Sequence, residues 1–204
     1  MKNIIFDNRT LTPSKVVCVG RNYVEHIKEL GNEMPENLVL FNKPNSAITD
    51  ELRYYKKDTR FEGEISFLIE DKKIAGVGFG LDLTHAKIQS YLKEKSLPWE
   101  RAKAFDGSAV FSEFVRFNGD LEDLSLTLSV NGNVVQEASY ELMIYKPDVV
   151  LKEILSFMDL EDGDIIMSGT PKGVGTYNNG DRFVGSIYYK DKLLVKKEWI
   201  VNYS

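Results

Sequence analysis

The chain has 204 residues, of which 43% are hydrophobic and 28% charged, and its formal net charge is −5. These values are typical of a soluble globular protein with a substantial core, and we expect a single domain over residues 1–204. The acidic balance and the short Lys/Arg runs exclude a nucleic-acid surface or a surface for anionic membranes. No apolar run reaches the roughly 20 residues of a membrane span, and we expect no signal peptide at the start.

The chain has one cysteine, Cys18, so no intrachain disulfide can form. Its apolar setting, Val-Val-Cys-Val, predicts a buried and unreactive thiol. We therefore expect a protein of the reducing cytoplasm.

Short elements alternate in the first half of the chain. Runs of β-branched and aromatic residues predict strands at 15–19, 38–41, 53–56, 62–70 and 75–83. A short helix is predicted over 22–30, because Gly31 follows it as a helix-ending residue. A polar loop with several breakers, 31–37, comes next and gives this helix room to move as a lid. Thr84 is placed to cap a second helix that runs to about Glu94.

The second half is mostly β. Strands at 124–130 and 134–138 flank Asn131-Gly132-Asn133, which predicts a type I′ hairpin. Pro147 suits the first turn of a helix over 148–158, whose apolar stripe contains Val149, Val150, Ile154, Leu155 and Phe157. Further strands are predicted at 164–167, 182–189 and 193–201. The fold class that follows is α+β, rich in β, with two or three short helices.

Three acidic residues suggest a site for a hard cation. Glu62 and Glu64 are two apart in an extended segment, so their side chains point to the same face. If Asp82 converges with them, three carboxylates without a soft ligand suit Mg²⁺ or Mn²⁺ better than Zn²⁺. The alternative is that Glu62 and Glu64 are two solvated charges on a strand edge.

The chain has only two histidines, and one of them is beside a carboxylate. His26 and Glu29 are three apart on the predicted helix and share a face, which is the arrangement that a general base needs. The alternative is an ordinary solvent-exposed pair. For His85 we expect a partly exposed position in the first turn of the second helix, although it could also support Asp82.

Two glycine-rich segments do not fit nucleotide-binding patterns. The segment 168–175 has no Gly-Lys-Ser/Thr, and 76–80 lacks the dinucleotide fingerprint. Their glycines are predicted to permit bulges or close backbone packing. Spacing alone would not single out Lys103 or Gln89.

The motifs of this chain, taken in order, resemble the fumarylacetoacetate hydrolase family, in particular its small single-domain acylpyruvase and oxaloacetate-decarboxylase-like members. The resemblance covers nearly the whole chain from about residue 15, and it is carried by the order of the motifs more than by any one of them. The matching segments are Val19-Gly-Arg-Asn-Tyr23 with His26 and Glu29, Phe41-Asn-Lys-Pro44, Glu62-Gly-Glu64, Leu81-Asp-Leu-Thr84 with Gln89, Leu97-Pro-Trp99, Ala102-Lys-Ala-Phe105, Val130-Asn-Gly132 with Gln136, and Asp164 through Gly175.

The resemblance implies a mixed β-sandwich-like roll, usually a homodimer, that acts on small 2-oxo acids with Mg²⁺ or Mn²⁺. It implies that Glu62, Glu64 and Asp82 are metal ligands, and that His26 and Glu29 form a water-activating pair on a lid helix. It also implies that Lys103 acts in catalysis, that Lys103 and Gln89 contact substrate oxygens, and that Thr170 holds a substrate carboxylate.

The reaction that the resemblance implies is cleavage of a C–C bond in a small 2-oxo acid, by hydrolysis or by decarboxylation, through a metal-stabilised enolate. One alternative is a 2-hydroxy-diene-dioate isomerase or hydratase of aromatic catabolism. Another is a catalytically silent homologue that binds a metal or a metabolite.

One position departs from the family pattern. The family commonly reads Asp-x-Thr-Ala-Arg-Asp-x-Gln, whereas this chain has Ala86 in place of the arginine. A bidentate guanidinium clamp for a substrate carboxylate is therefore missing there, and Lys87 or His85 would meet a substrate from a different helix face. Substrate identity is the property that this change affects most.

Overall fold

The computed structural model describes residues 1–31 and 33–203. Within these residues the chain forms four short α-helices, which are α1 Val24–Glu29, α2 Ala86–Glu94, α3 Glu100–Lys103 and α4 Pro147–Phe157. No helix in this part of the chain is long and apolar enough to cross a membrane. The predicted loop 31–37 includes Asn32, which lies outside the described residues.

Strands are the commonest regular element in the described chain. The strands of the first half are β1 Ile4–Phe6, β2 Arg9–Leu11, β3 Lys15–Gly20, β4 Val39–Pro44, β5 Ile48–Thr49, β6 Arg53–Tyr54, β7 Thr59–Phe61, β8 Gly63–Glu70, β9 Lys73–Asp82 and β10 Thr84–His85. Those of the second half are β11 Ala109–Phe111, β12 Val115–Arg116, β13 Leu124–Val130, β14 Asn133–Ser139, β15 Ile165–Met167, β16 Gly175–Thr176, β17 Arg182–Tyr189, β18 Lys192–Ile200 and β19 Asn202–Tyr203.

Two larger sheets enclose the core. The mixed eight-stranded sheet has the order β4-β3-β15-β8-β9-β11-β5, with β12 also paired to β9, and the antiparallel four-stranded sheet has the order β14-β13-β17-β18. Side chains of both sheets share one buried cluster, which includes Phe79 of the first sheet and Leu128 and Phe183 of the second. Gly185 lets the sheets approach, because a Cβ there would lie 2.5 Å from the Phe79 ring. The β-rich α+β class predicted from the sequence is confirmed.

The hairpin prediction is confirmed in detail. Asn131 and Gly132 have φ values of 51° and 84°, and Val130 pairs with Asn133 across the turn. Positive φ at both central residues defines the type I′ turn, whose twist matches that of the strands.

The prediction that Gly31 ends the first helix also holds. Gly31 has φ at 62°, and its N–H donates to the Lys28 carbonyl at 3.0 Å.

Two sequence predictions were wrong, and one helix was missed. Thr84 does not cap α2, because it lies in β10. The N-cap residue of α2 is His85, whose side chain makes no capping hydrogen bond. The helix α3 was not predicted, since four residues are too few for a periodic pattern. In α4, Val149 and Phe157 are exposed, so the buried face of that helix is narrower than the apolar stripe.

Candidate active site

The three acidic residues converge at the centre of the eight-stranded sheet. Glu62 joins β7 to β8, Glu64 is in β8, and Asp82 ends β9. The antiparallel register pairs Glu64 with Gly80, and the N–H of Asp82 donates to the Glu62 carbonyl at 2.9 Å. One carboxylate oxygen from each residue lies within 4.8 Å of the others. The alternative of solvated charges on a strand edge is wrong, because Glu64 and Asp82 are each 1% exposed and Glu62 is 9% exposed.

Two buried lysines neutralise part of this charge. Lys103 Nζ lies 2.8 Å from Glu62 Oε2 and 2.7 Å from Asp82 Oδ2. Lys43 Nζ lies 2.8 Å from the other oxygen of Asp82, and it donates to the Lys103 carbonyl and, at 3.1 Å, to Ser108 Oγ. With every group ionised, three carboxylates face two ammonium groups, so the cluster retains a negative charge.

The electrostatics of the carboxylates differ. Burial acts to raise the pKa of Glu62, but the charges of Lys103 and His26, together with hydrogen bonds from Lys103 and Thr84, outweigh it and hold the pKa at about 2. Burial, and then the neighbouring charges of Asp82 and Glu62, raise the pKa of Glu64 well above its usual range. Burial acts to lower the pKa of Lys103, but Asp82 and Glu62 raise it above its usual value. Closely spaced carboxylate oxygens of this kind fit a divalent cation, because the cation supplies positive charge that balances the negative charge remaining after the two lysines are counted.

The glycine-rich segment 168–175 positions two carboxylates through backbone N–H groups. Gly169 donates to Glu64 Oε2 at 2.7 Å, and Gly173 donates to Glu29 Oε1 at 3.0 Å. Both glycines have φ above 90°, and a Cβ on Gly173 would overlap the Val135 carbonyl. Close packing was predicted for these glycines, but their use as donors to the site was not.

His26 and Glu29 meet on the helix α1, as predicted. His26 Nδ1 lies 3.3 Å from Glu29 Oε2, and His26 is buried. The start of the helix is fixed by the side chain of Asn22. Its Nδ2 donates to the Ser168 carbonyl at 2.8 Å, and its Oδ1 accepts from the Tyr145 N–H at 2.7 Å. The alternative of a solvent-exposed pair is therefore wrong for His26.

A small cavity of about 40 Å³ brings the predicted residues together. Its walls include the three carboxylates and the side chains of His26, Gln89, Lys103 and Thr170. Glu29 lies behind His26 and is not part of the wall. The Thr170 hydroxyl already donates to the Gly63 carbonyl and accepts from Gln136 Nε2, both at 2.9 Å. The hydrogen of this hydroxyl is thus already used in a bond to the backbone, and the carboxylate-binding role of Thr170 stays a prediction.

His85 does not lie where we expected it. It is 5% exposed, its ring stacks on Phe105 at 3.9 Å between centroids, and its Nδ1 lies 3.1 Å from Thr59 Oγ1. Burial, and then the nearby charge of Lys56, lower its pKa to about 4. The ring is therefore a neutral packing element, and neither His85, Ala86 nor Lys87 lines the cavity.

Sequence reasoning gave no role to Lys43 and Gln136, which both support the site. Gln136 accepts from the N–H of Gly63, between the two glutamates, at 2.8 Å, and donates to Pro171 O at 2.9 Å. Lys43 shares a strand face with Phe41, and a lysine on an apolar strand face is the signal that could have identified it. For Gln136 the only available signal was its place in the family motif.

The comparisons with known proteins identify the family of this chain. A family model described as "Fumarylacetoacetate (FAA) hydrolase C-terminal" matches residues 15–193, and the chain belongs to this family.

Two curated relatives and one solved structure are similar along most of the chain. Oxaloacetate tautomerase YcgM of Escherichia coli (strain K12) is 41% identical over 187 residues, which cover 82% of this chain and 85% of the relative. The mitochondrial oxaloacetate decarboxylase of Dictyostelium discoideum is 35% identical over 188 residues, which cover 83% of this chain and 86% of the relative. The structure of fumarylpyruvate hydrolase from Pseudomonas aeruginosa, solved in complex with Mn²⁺ and pyruvate, matches with a TM-score of 0.89 at 27% identity. The match covers 100% of this chain and 96% of the hydrolase chain.

Proposed function

We propose that this protein is a divalent-metal-dependent enzyme acting on small 2-oxo acids, with keto–enol tautomerisation of oxaloacetate as its reaction. The observation that carries the proposal is the placement of three buried carboxylates in one cavity with the imidazole of His26. A hard-cation site beside a proton-moving group suits chemistry at the carbon next to a keto group. The activities named for the relatives support oxaloacetate as the substrate.

Glu62, Glu64 and Asp82 would hold the cation, which we propose to be Mg²⁺ or Mn²⁺, because all three offer hard oxygen donors. When bound, such a cation supplies Lewis-acid polarisation of a 2-oxo acid. The ammonium of Lys103 and the amide of Gln89 line the same cavity and would stabilise negative charge that develops on substrate oxygens.

His26 is the group that would move the proton. With its Nδ1–H donated to Glu29, the ring presents Nε2 as a base. Nε2 would accept a proton from the carbon between the keto group and the distal carboxylate, and return it to the keto oxygen. The N–H of Gly173 holds Glu29 in place for this task.

A second candidate is cleavage of a C–C bond, and the similarity to fumarylpyruvate hydrolase favours it. In hydrolysis, His26 would deprotonate a water molecule instead of carbon, and Lys103 would stabilise the resulting oxyanion. Decarboxylation of oxaloacetate would need no attacking water, so the base would matter less.

The assay that separates these reactions follows two products with the Mn²⁺-loaded protein. Loss of the ultraviolet absorbance of enol-oxaloacetate reports tautomerisation, and pyruvate release from oxaloacetate and acylpyruvates reports cleavage. We expect fast loss of the enol and slow pyruvate release. Pyruvate release at the higher rate would refute tautomerisation in favour of cleavage, and activity on neither class would favour a silent binding homologue or an isomerase of other substrates.

Two variants test the roles of the residues. Glu64→Ala is expected to abolish both Mn²⁺ binding, measured by calorimetry, and turnover, whereas Glu137→Ala, an exposed glutamate on β14, should change neither. His26→Ala should keep Mn²⁺ binding and slow turnover about 10²- to 10⁴-fold, the usual worth of a general base. Unchanged Mn²⁺ affinity in Glu64→Ala would contradict the ligand assignment.

The homodimer, the cytoplasmic location and the single domain over 1–204 stay predictions from the sequence. Light scattering tests the first, cell fractionation the second, and limited proteolysis the third.

A further inference from the structure

Two cationic side chains in the cavity have no role in the steps described above. Arg21 and Lys93 both line it, together with Gln89 and Trp99. Arg21 Nε is buried and has no hydrogen-bond partner in the described part of the chain. Lys93 Nζ lies 5.2 Å from the centroid of the Trp99 ring, a contact that a cation and an indole favour.

Neither cation is explained by an ion pair. Among residues 1–31 and 33–203, no carboxylate forms a salt bridge with Arg21 or Lys93, whereas Lys43 and Lys103 in the same region are both paired. Burial, and then the charges of Arg21 and Lys103, lower the pKa of Lys93. Two half-buried cations that repel each other destabilise the protein unless an anion joins them.

A left-handed backbone conformation at Arg21 and the helical spacing of Lys93 place the two cations at the cavity. Arg21 has φ at 57°, a left-handed conformation that non-glycine residues adopt rarely and that clusters at functional sites. Lys93 is four residues after Gln89 in α2 and therefore lies on the same helix face. Ala86, at the other end of that helix, does not reach the cavity wall. Positive charge on this wall is thus supplied near the C-terminal turn of α2 rather than at its start.

We propose that Arg21 and Lys93 form a carboxylate-binding subsite that holds the distal carboxylate of a four-carbon 2-oxo dicarboxylate. The proposal rests on the proposed function, in which the cation held by the three carboxylates polarises the 2-oxo acid end of the substrate and leaves the second carboxylate without a partner. A guanidinium can donate two parallel N–H bonds to a carboxylate, and an ammonium adds a third donor. The subsite selects dicarboxylates over monocarboxylates, which have no second anionic group for these cations.

The test compares two stable 2-hydroxy acids that differ in the distal carboxylate. Calorimetry with the Mn²⁺-loaded protein gives the dissociation constants of malate, which has that group, and of lactate, which lacks it. We expect the wild-type protein to bind malate about 10- to 100-fold more tightly, the usual range for hydrogen bonds to a charged group. Lys93→Met and Arg21→Gln should each reduce this ratio about tenfold and leave the lactate constant within about twofold.

Lys95→Met is the matched control, because Lys95 lies just after the same helix and pairs with Glu94 at the surface. This variant should keep the wild-type ratio. The subsite is refuted if Lys93→Met keeps that ratio, or if it weakens malate and lactate equally. If the wild-type protein takes up Mn²⁺ but binds neither acid, the proposed function fails and the subsite with it. Near-ultraviolet circular dichroism checks the folding of Arg21→Gln. If Arg21→Gln is misfolded, the result for Lys93→Met alone decides whether the subsite exists.

Discussion

Replacing Lys43 by methionine measures how far a buried lysine stabilises the carboxylate cluster. Lys43 is fully buried, and its ammonium contacts Asp82 Oδ1 at 2.8 Å and Ser108 Oγ at 3.1 Å. Methionine has a similar length but offers no charge and no N–H donor. The change therefore removes one positive charge from a cluster that already carries an excess of negative charge.

The structure sets the size of the expected loss. Removing one member of a buried ion pair typically costs about 3–5 kcal/mol, because the other charge is left buried without its partner. Asp82 retains Lys103, 2.7 Å from Oδ2, and the Lys103 carbonyl retains a bond from Ser108 at 2.8 Å. The loss should therefore lie toward the lower end, and we expect the free energy of unfolding to fall by about 3–4 kcal/mol.

Urea denaturation followed by far-ultraviolet circular dichroism gives this value, in the presence of a chelator so that no metal contributes. The matched control is Lys72→Met, which breaks an ion pair of similar length, 2.7 Å to Asp159, between side chains that are 59% and 79% exposed. An exposed pair of this kind should be worth at most about 1 kcal/mol. If the two variants lose equal stability, burial does not determine the strength of the Lys43–Asp82 pair and the reasoning is wrong.

Two other variants test the loop and the buried ring. Gly173→Ala should lower the free energy of unfolding by more than about 2 kcal/mol, because it adds overlap with the Val135 carbonyl to the strain of its φ of 98°. Gly180→Ala, with φ at 87° and nothing within 4 Å, carries the strain alone and should lose less in the same urea experiment; equal losses would contradict the overlap. For His85, the folded pKa of about 4 is below the usual 6.5, so the unfolded chain binds more protons between these values and stability falls as the pH falls through this window. The free energy of unfolding should therefore fall less between pH 7 and pH 4 in His85→Phe than in the wild-type protein, by up to about 3 kcal/mol. An equal fall in both proteins would show that His85 does not contribute to the pH dependence.

The sequence by itself determined the features that depend on near neighbours. The Asn131-Gly132 turn, the helix end at Gly31 and the helix start at Pro147 were all predicted, because each depends on the φ preferences of a few adjacent residues. The resemblance, carried by the order of short motifs, pointed to the three carboxylates and to His26, Gln89, Lys103 and Thr170, which all line the cavity, but it did not show how they are held.

Only the tertiary structure decided which partners these residues have. Glu64 receives its N–H bond from Gly169, 105 residues later, and β15 brings that loop to the site by pairing with both β3 and β8. The burial of His85 against Phe105 follows in the same way from how α3 and the segment after it pack on β10. Local preference extends over about one helical turn or one strand pair, whereas these contacts depend on the order of strands in the sheet, which no local pattern in the sequence specifies.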